Sequence, residues 1–303
     1  TWAWVDPQHE IIGLVLTQTQ RSTNPRGAFR AMVESACLDR EDNRTDKSVE
    51  SLAHQAGFYK DIFMSSGANL TSRKTLFAAD TLDLSYEYYA GKDAFQQNKL
   101  LIGTKEDSNG VLLYPDGQPR FRMLYVNGGG ATSHGKSLTS AGRQLLRQFH
   151  ANGGSYCGSC AGSFLSGRNV DQRTEPRLGY LHIFPYNTLN TGLKKARLKH
   201  VIPETSALLR YRDFGSDRQI ADVYHNNGNW LSTKEGEHLK ETEILATYRH
   251  PDHKIDGGAA IWAYRKDASQ GRVVNIGSHP EGVAEGEQLA LTQACFLYAL
   301  EGT

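Results

Sequence analysis

From about residue 55 onward, short apolar runs alternate with segments of helical period, and no other feature restricts the fold as strongly. Residues 122–126, 154–158, 221–225, 244–248, 259–264 and 272–276 read as strands, and residues 137–150 and 287–300 read as helices. A strand that recurs between helices is buried on both faces, so the pattern predicts an α/β layered sheet with helices above and below it. No internal repeat or low-complexity tract interrupts it.

Size and charge narrow the function class. The chain has 303 residues, 34 Lys+Arg against 33 Asp+Glu, and a formal net charge of +1. That balance gives no global reason to bind nucleic acid or an anionic membrane, so the expected partner is a small molecule or a peptide. The longest apolar run, Ile11 to Leu16, is far below the roughly 18 residues that a bilayer requires, and no membrane span is expected. The chain opens on Thr1-Trp2-Ala3-Trp4 without Met or a basic-then-apolar leader. It therefore reads as a processed product or a fragment, and its compartment is unknown. Cys37, Cys157, Cys160 and Cys295 are too few and too irregular for a disulfide scaffold, which a chain of this length does not need.

Residues 1–40 stand apart. Residues 1–6 and 11–17 read as strands joined through Pro7, followed by a helix over 25–37 with Asn24 as N-cap and Pro25 at its first position. A hairpin and one helix cannot bury enough surface to fold alone. Residues 41–54 are polar and charged, a linker in composition, so a domain is expected over 55–303.

The densest chemistry lies in Gly153-Gly-Ser-Tyr-Cys-Gly-Ser-Cys-Ala-Gly-Ser-Phe-Leu-Ser-Gly167. Gly158 and Gly162 sit two residues either side of Cys160 at a strand-to-helix transition, the spacing of a nucleophile elbow. Small flanking residues are needed there because strand and helix approach closely and the nucleophile is held in a strained conformation. A helix N-terminus favours thiolate over thiol, and the backbone N–H of Ala161 is placed to face an oxyanion. Two other readings stand beside it. Cys157-x-x-Cys160 is also a redox or metal half-site, though no second pair occurs at zinc spacing, and a buried Cys is also a small hydrophobe.

A cysteine nucleophile needs a base. Among eleven histidines, His279 follows the apolar strand Val273-Val-Asn-Ile and precedes Pro280-Glu281. The end of a strand is where open α/β sheets gather their sites. In an extended stretch residues i and i+2 share a direction, so Glu281 is expected to orient the imidazole.

These motifs carry a resemblance. Gly-x-Cys-x-Gly at the turn, a glycine-rich loop after an earlier strand, and Ser278-His-Pro-Glu281 resemble class I glutamine amidotransferase domains over about residues 55–300. The fuller wording, with Val223-Tyr-His-Asn-Asn-Gly-Asn-Trp230, is most similar to the subgroup called biotin-protein ligase N-terminal domain-like. The resemblance implies a three-layer sandwich with a mostly parallel central sheet, Cys160 as nucleophile, His279 as base and acid, and Glu281 as orienter. It also implies an oxyanion loop at Gly128, Gly129 and Gly130, and neither metal nor organic cofactor. The chain departs from the family where Ser163 and Phe164, rather than a Gln, follow Gly162, and no synthetase domain accompanies it. The expected substrate is therefore another amide or ester. Residues 1–40 resemble the last hairpin and helix of β-lactamase-related serine hydrolases. That family's nucleophile would lie upstream of Thr1, so such a region is a possible partner and no activity is carried over.

Two features compete for attention. Gly130-Ala-Thr-Ser-His-Gly-Lys-Ser137 matches a phosphate-binding P-loop after a strand, with Lys136 and Ser137 in the phosphate and Mg²⁺ roles. It also occupies the position that the amidotransferase reading needs for its glycine loop, and no later strand ends in the Asp that would complete a metal site. Tyr224, His225, Asn226 and Asn227 end a strand and are candidates for the substrate rim, while Trp230 and Trp262 are expected in packing.

Overall fold

A computed structural model of the chain describes residues 2–6, 11–15, 57–66, 74–90, 110–114, 116–234 and 239–303. Strands β1 (Trp2–Asp6) and β2 (Ile11–Val15) pair antiparallel, with Trp2 opposite Val15 and Asp6 opposite Ile11. The expected hairpin strands are therefore present. The helix expected over 25–37, Cys37 and the polar stretch 41–54 lie outside the described residues.

The main sheet is built from β3 (Lys60–Ser66), β4 (Tyr86–Ala90), β5 (Phe121–Val126), β6 (Ser155–Ser159), β8 (Ala196–Val201), β9 (Gln219–His225), β11 (Thr242–Arg249), β12 (Ala259–Tyr264) and β13 (Val273–Ile276). β7 (Leu189–Asn190) and β10 (Asn229–Trp230) form a short separate pair. The helices are α1 (Lys74–Asp80), α2 (Ala131–Ser137), α3 (Thr139–Ala151), α4 (Ala161–Ser166) and α5 (Gly286–Leu300). Among the described residues the strand order is β4-β3-β5-β6-β13-β12-β11-β8-β9. From β4 to β13 every neighbour is parallel, and from β13 to β9 every neighbour is antiparallel. The chain thus adopts the expected three-layer α/β architecture with parallel central strands, and extends it by an antiparallel wing.

Strand alternation divides the core into two. Met64, Met123, Tyr125, Cys157 and Val274 face α1 and α5, where they meet Ala78, Leu291, Cys295 and Phe296. Phe63, Leu124, Val126, Tyr156 and Val273 face α3 and α4, where they meet Leu146, Phe149, Phe164 and Leu165. Each large apolar side chain removed from water contributes roughly 2 kcal/mol. Helix α3 buries Gly142, Leu146, Phe149 and His150, a single stripe at helical spacing, and leaves its other face wet. Trp230 and Trp262 are buried in these cores, as packing residues.

The antiparallel wing curls. Although β9 and β13 are separated by three strands in the sheet, Tyr224 at the end of β9 bridges His279 just beyond β13. The His279 N–H donates to the Tyr224 carbonyl at 2.8 Å. Inside the curl, the hydroxyl of Ser278 is surrounded by His225 Nδ1 at 2.9 Å, His200 Nε2 at 3.1 Å and the Tyr248 hydroxyl at 3.2 Å. The Gly228 N–H donates to His225 Nε2, so Nδ1 carries the proton and donates to Ser278. Ser278 then donates to Tyr248, whose hydroxyl donates to the Asn229 carbonyl. This assignment satisfies the Ser278, Tyr248 and His225 groups with both imidazoles neutral.

Burial pushes His200 down to about 3 and His225 down to about 4, with repulsion from His225 adding to the first and repulsion from His279 adding to the second. Between those values and the unfolded-state value near 6.5, the unfolded chain binds more protons than the folded one. Stability should therefore fall as pH drops below about 6.5, by up to about 1.4 kcal/mol per pH unit for each histidine. Urea unfolding at pH 6.5 and pH 5 measures this, and equal stabilities would show the histidines charged in the native protein.

Candidate active site

At the edge where the parallel strands end, β6 stops at Ser159 and α4 starts at Ala161, with Cys160 alone between them at φ +46° and ψ −103°. This left-handed conformation is strained for a residue with a Cβ, by about 1–3 kcal/mol. The two glycines explain how the turn closes. A Cβ on Gly158 would lie 2.6 Å from the Gly162 carbonyl carbon, and one on Gly162 would lie 2.1 Å from the Val126 carbonyl oxygen. Strand and helix are in backbone contact that any side chain would prise apart. Cys160 is 6% exposed, and its N–H donates to the Ile276 carbonyl at 2.8 Å.

The same bond brings in the second segment. β13 runs parallel to β6 with Ile276 beside Ser159, so both chains leave the sheet together and His279 arrives next to Cys160. The Cys160 thiol donates to the Asn226 carbonyl at 3.8 Å, and the Cys160 side chain is near enough to His279 to raise the proton affinity of its imidazole. The His279 Nδ1–H donates to Glu281 Oε1 at 2.9 Å. Sequence reasoning expected these two residues to share one side of an extended stretch. Instead Pro280 opens a 3-10 turn, Pro280–Gly282, and the contact is made through the turn.

Glu281 is 3% exposed. Burial alone would lower the proton affinity of His279, but the Glu281 carboxylate and the hydrogen bond to Cys160 outweigh it and push the imidazole well above its usual range. The structure thus brings together Cys160, His279 and Glu281, an arrangement able to hold a proton between thiol and imidazole.

The glycine loop meets the expectation in part. Gly128 lies beneath the His279 ring, where a Cβ would come within 2.3 Å of Cε1. Its N–H donates to the Asn127 side chain at 2.6 Å, and its lack of a side chain leaves room for the imidazole. Gly129 has φ +139°, and both it and Gly130 are exposed. Ala161 is the first residue of α4, so its N–H has no acceptor within the helix.

The rim residues separate. Tyr224 lies with its ring centroid 5.6 Å from that of His279, and Asn226 and Asn227 are exposed. His225 is fully buried with both ring nitrogens bonded inside the curl. Gly228 explains the tight chain here, since a Cβ would lie 1.8 Å from the Gly277 carbonyl oxygen. Cys157 points to the opposite face of the sheet, into the core beside α5, and burial raises its thiol well above the usual range. It forms no pair with Cys160, and among the described residues no cluster of three or more metal-ligating side chains exists.

Residues 131–137 are helical throughout, with Gly130 as N-cap and the His134 N–H bonded to the Gly130 carbonyl. A phosphate-cradling loop needs those amides unpaired and starts its helix near the Lys. Here Lys136 sits in the last turn and the Ser137 hydroxyl donates to the His134 carbonyl, so the P-loop reading is set aside. Among the described residues no helix is long and apolar enough to cross a membrane.

Comparison with known proteins bears on the fold. The sequence matches no protein-family model and no curated protein. Solved structures do match. A glutamine amidotransferase structure aligns with TM-score 0.50 and 14% identity, over 78% of this chain and 98% of its own. The carbohydrate deacetylase Agd3 aligns with TM-score 0.50 and 10% identity, over 80% of this chain and 32% of its own. The glutaminase domain of Trypanosoma brucei CTPS, solved with bound acivicin, aligns with TM-score 0.46 and 13% identity, over 80% of this chain and 94% of its own. The chain has a glutamine amidotransferase-like fold.

Two outcomes follow. Gly162→Ala should lose at least about 2 kcal/mol of stability in urea unfolding, because the methyl group meets backbone that cannot rotate away. Wild-type stability would show that β5 and α4 are not in contact. Millimolar ATP with Mg²⁺ should leave the melting temperature unchanged, whereas a ligand of the native state would raise it.

Proposed function

We propose that the protein is a cysteine-dependent amidase, hydrolase or acyl transferase acting on a carbon–nitrogen or ester bond, with Cys160, His279 and Glu281 as its triad. The observation that carries this reading is the strained, glycine-flanked turn that holds Cys160 against a histidine whose far nitrogen is fixed by a buried carboxylate. The amidotransferase-like fold supports it only as architecture, since fold does not imply function.

In this mechanism Cys160 Sγ bonds to the substrate carbonyl carbon while its proton passes to His279 Nε2. The tetrahedral oxyanion meets the Ala161 N–H and the Gly129–Gly130 loop; one such donor is worth on the order of a hundredfold in rate. Collapse expels the amine or alcohol, which takes the proton from His279. Water or another acceptor then gives its proton to His279 and attacks the thioester, releasing the acyl group and restoring the thiol. Glu281 accepts from Nδ1 throughout and so keeps Nε2 aimed at sulfur. No step calls for a cofactor. Ser163 and Phe164 stand where the family's glutamine-binding Gln would be, so the substrate is read as an amide or ester other than glutamine. Tyr224, Asn226 and Asn227 are the proposed rim.

The finer assignments belong to the same proposal. Residues 55–303 are read as a domain of the biotin-protein ligase N-terminal domain-like subgroup, 41–54 as a linker, and 1–40 as the end of a β-lactamase-related domain. The antiparallel β1–β2 pair is compatible with that last assignment.

Iodoacetamide labelling across pH, resolved by cysteine through peptide mass mapping, tests the triad. Cys157 and Cys295 are fully buried and serve as slow internal references. Cys160 should label fastest at and below neutral pH and lose that advantage in His279→Ala. If Cys160 labels no faster than an ordinary thiol, or His279→Ala changes nothing, the domain is a non-catalytic binding module.

A further inference from the structure

We infer that Ser159, supported by Tyr125, is a positioning residue for this triad: its hydroxyl holds the carboxylate of Glu281 in the orientation that steers His279. The inference rests on the proposed function and adds two residues that the sequence motifs do not single out.

The geometry is specific. The Ser159 hydroxyl donates to Glu281 Oε1 at 2.7 Å, the same oxygen that accepts from His279 Nδ1 at 2.9 Å. Glu281 Oε2 is buried without a hydrogen-bond partner. One carboxylate oxygen therefore carries both bonds, and removing Ser159 leaves the group tethered only to the imidazole it is meant to orient. A carboxylate held by one partner can rotate about its last torsion, whereas two donors converging on one oxygen define its plane.

Tyr125 sets the direction of the chain. Its hydroxyl lies 3.0 Å from Ser159 Oγ. The Ser159 proton is committed to the carboxylate, so Tyr125 is the donor and Ser159 the acceptor. The run is Tyr125 to Ser159 to Glu281, all buried. Each donor polarises the next towards the carboxylate. Sequence position makes the arrangement economical, since Ser159 ends β6 and directly precedes Cys160, so nucleophile and carboxylate support come from adjacent residues where the strand gives way to the turn.

The other ionisable groups facing Glu281 come from three elements: Tyr125 from β5, Cys157 from β6 and Cys295 from α5. All three are fully buried, with proton affinities raised chiefly by burial, and each stays neutral at working pH. Cys160 and His225 act on the site through His279. Once His279 holds the proton taken from Cys160 it is the cation that answers the Glu281 charge, and Ser159 is the neutral group that answers it by a hydrogen bond.

The test uses the pH profile of Cys160 alkylation, which needs no substrate. Ser159→Ala should weaken the hold on the imidazolium, lower the labelling rate at pH 6 by about tenfold or more, and shift the acid limb upward by about one pH unit. Tyr125→Phe keeps the ring packed edge-on to Phe296 and should give a smaller shift in the same direction. The double variant should be no worse than Ser159→Ala, because Tyr125 acts through Ser159. Melting curves establish that each variant is folded, and Tyr125→Phe carries the test if Ser159→Ala is not. Profiles superimposable on wild type in the folded variants, with His279→Ala still abolishing fast labelling, would overturn the role of Ser159 and leave the triad standing. Loss of any His279 effect overturns both.

Discussion

The parallel register between β6 and β13 is the constraint from which the site follows. Tyr156 lies beside Val273 and Ser159 beside Ile276, and this pairing ends with the Cys160 N–H bonded to the Ile276 carbonyl. Two segments more than a hundred residues apart leave the sheet at the same edge, one into a tight turn and a helix, the other towards His279. A slip of one residue would send Cys157 and Val274 to the wrong face and carry the imidazole away from sulfur. The register is secured from within, because both strands are fully buried and their alternate side chains fill two different cores.

Much of this was legible before any coordinates. The six strands and two helices read beyond residue 55 are present, and the turn at Cys160 follows from two glycines whose placement has a steric reason. His279 and Glu281 were found by their position after an apolar strand. What escaped was of two kinds. β3, β4 and β8 have mixed polar and apolar residues without a clean period, so their strands are defined by pairing rather than by pattern. Ser159 and Tyr125 carry no motif at all: a serine beside a cysteine and a tyrosine in an apolar strand are ordinary, and only the parallel β5–β6–β13 pairing brings them to the carboxylate. Gly128 and His225 show the converse. Both lie in suggestive contexts, yet one yields its N–H to Asn127 and the other is enclosed in a hydrogen-bonded hub, facts that depend on chain segments remote in sequence.

The curl of the antiparallel wing changes how distance from the site should be measured. His279 is pinned on one side by the parallel strands and on the other by the end of β9, which lies beyond β12, β11 and β8 in the order of the sheet. The wing is thus a closed loop of strands, and the catalytic base candidate sits at its seam. Any change in twist along β11 or β8, where the register already slips at Ile244/Ala246 and Leu198/His200, accumulates around the loop and is delivered at that seam. The span of β12, β11 and β8 therefore works as a gauge block: side chains that never approach Cys160 fix where the end of β9 meets His279.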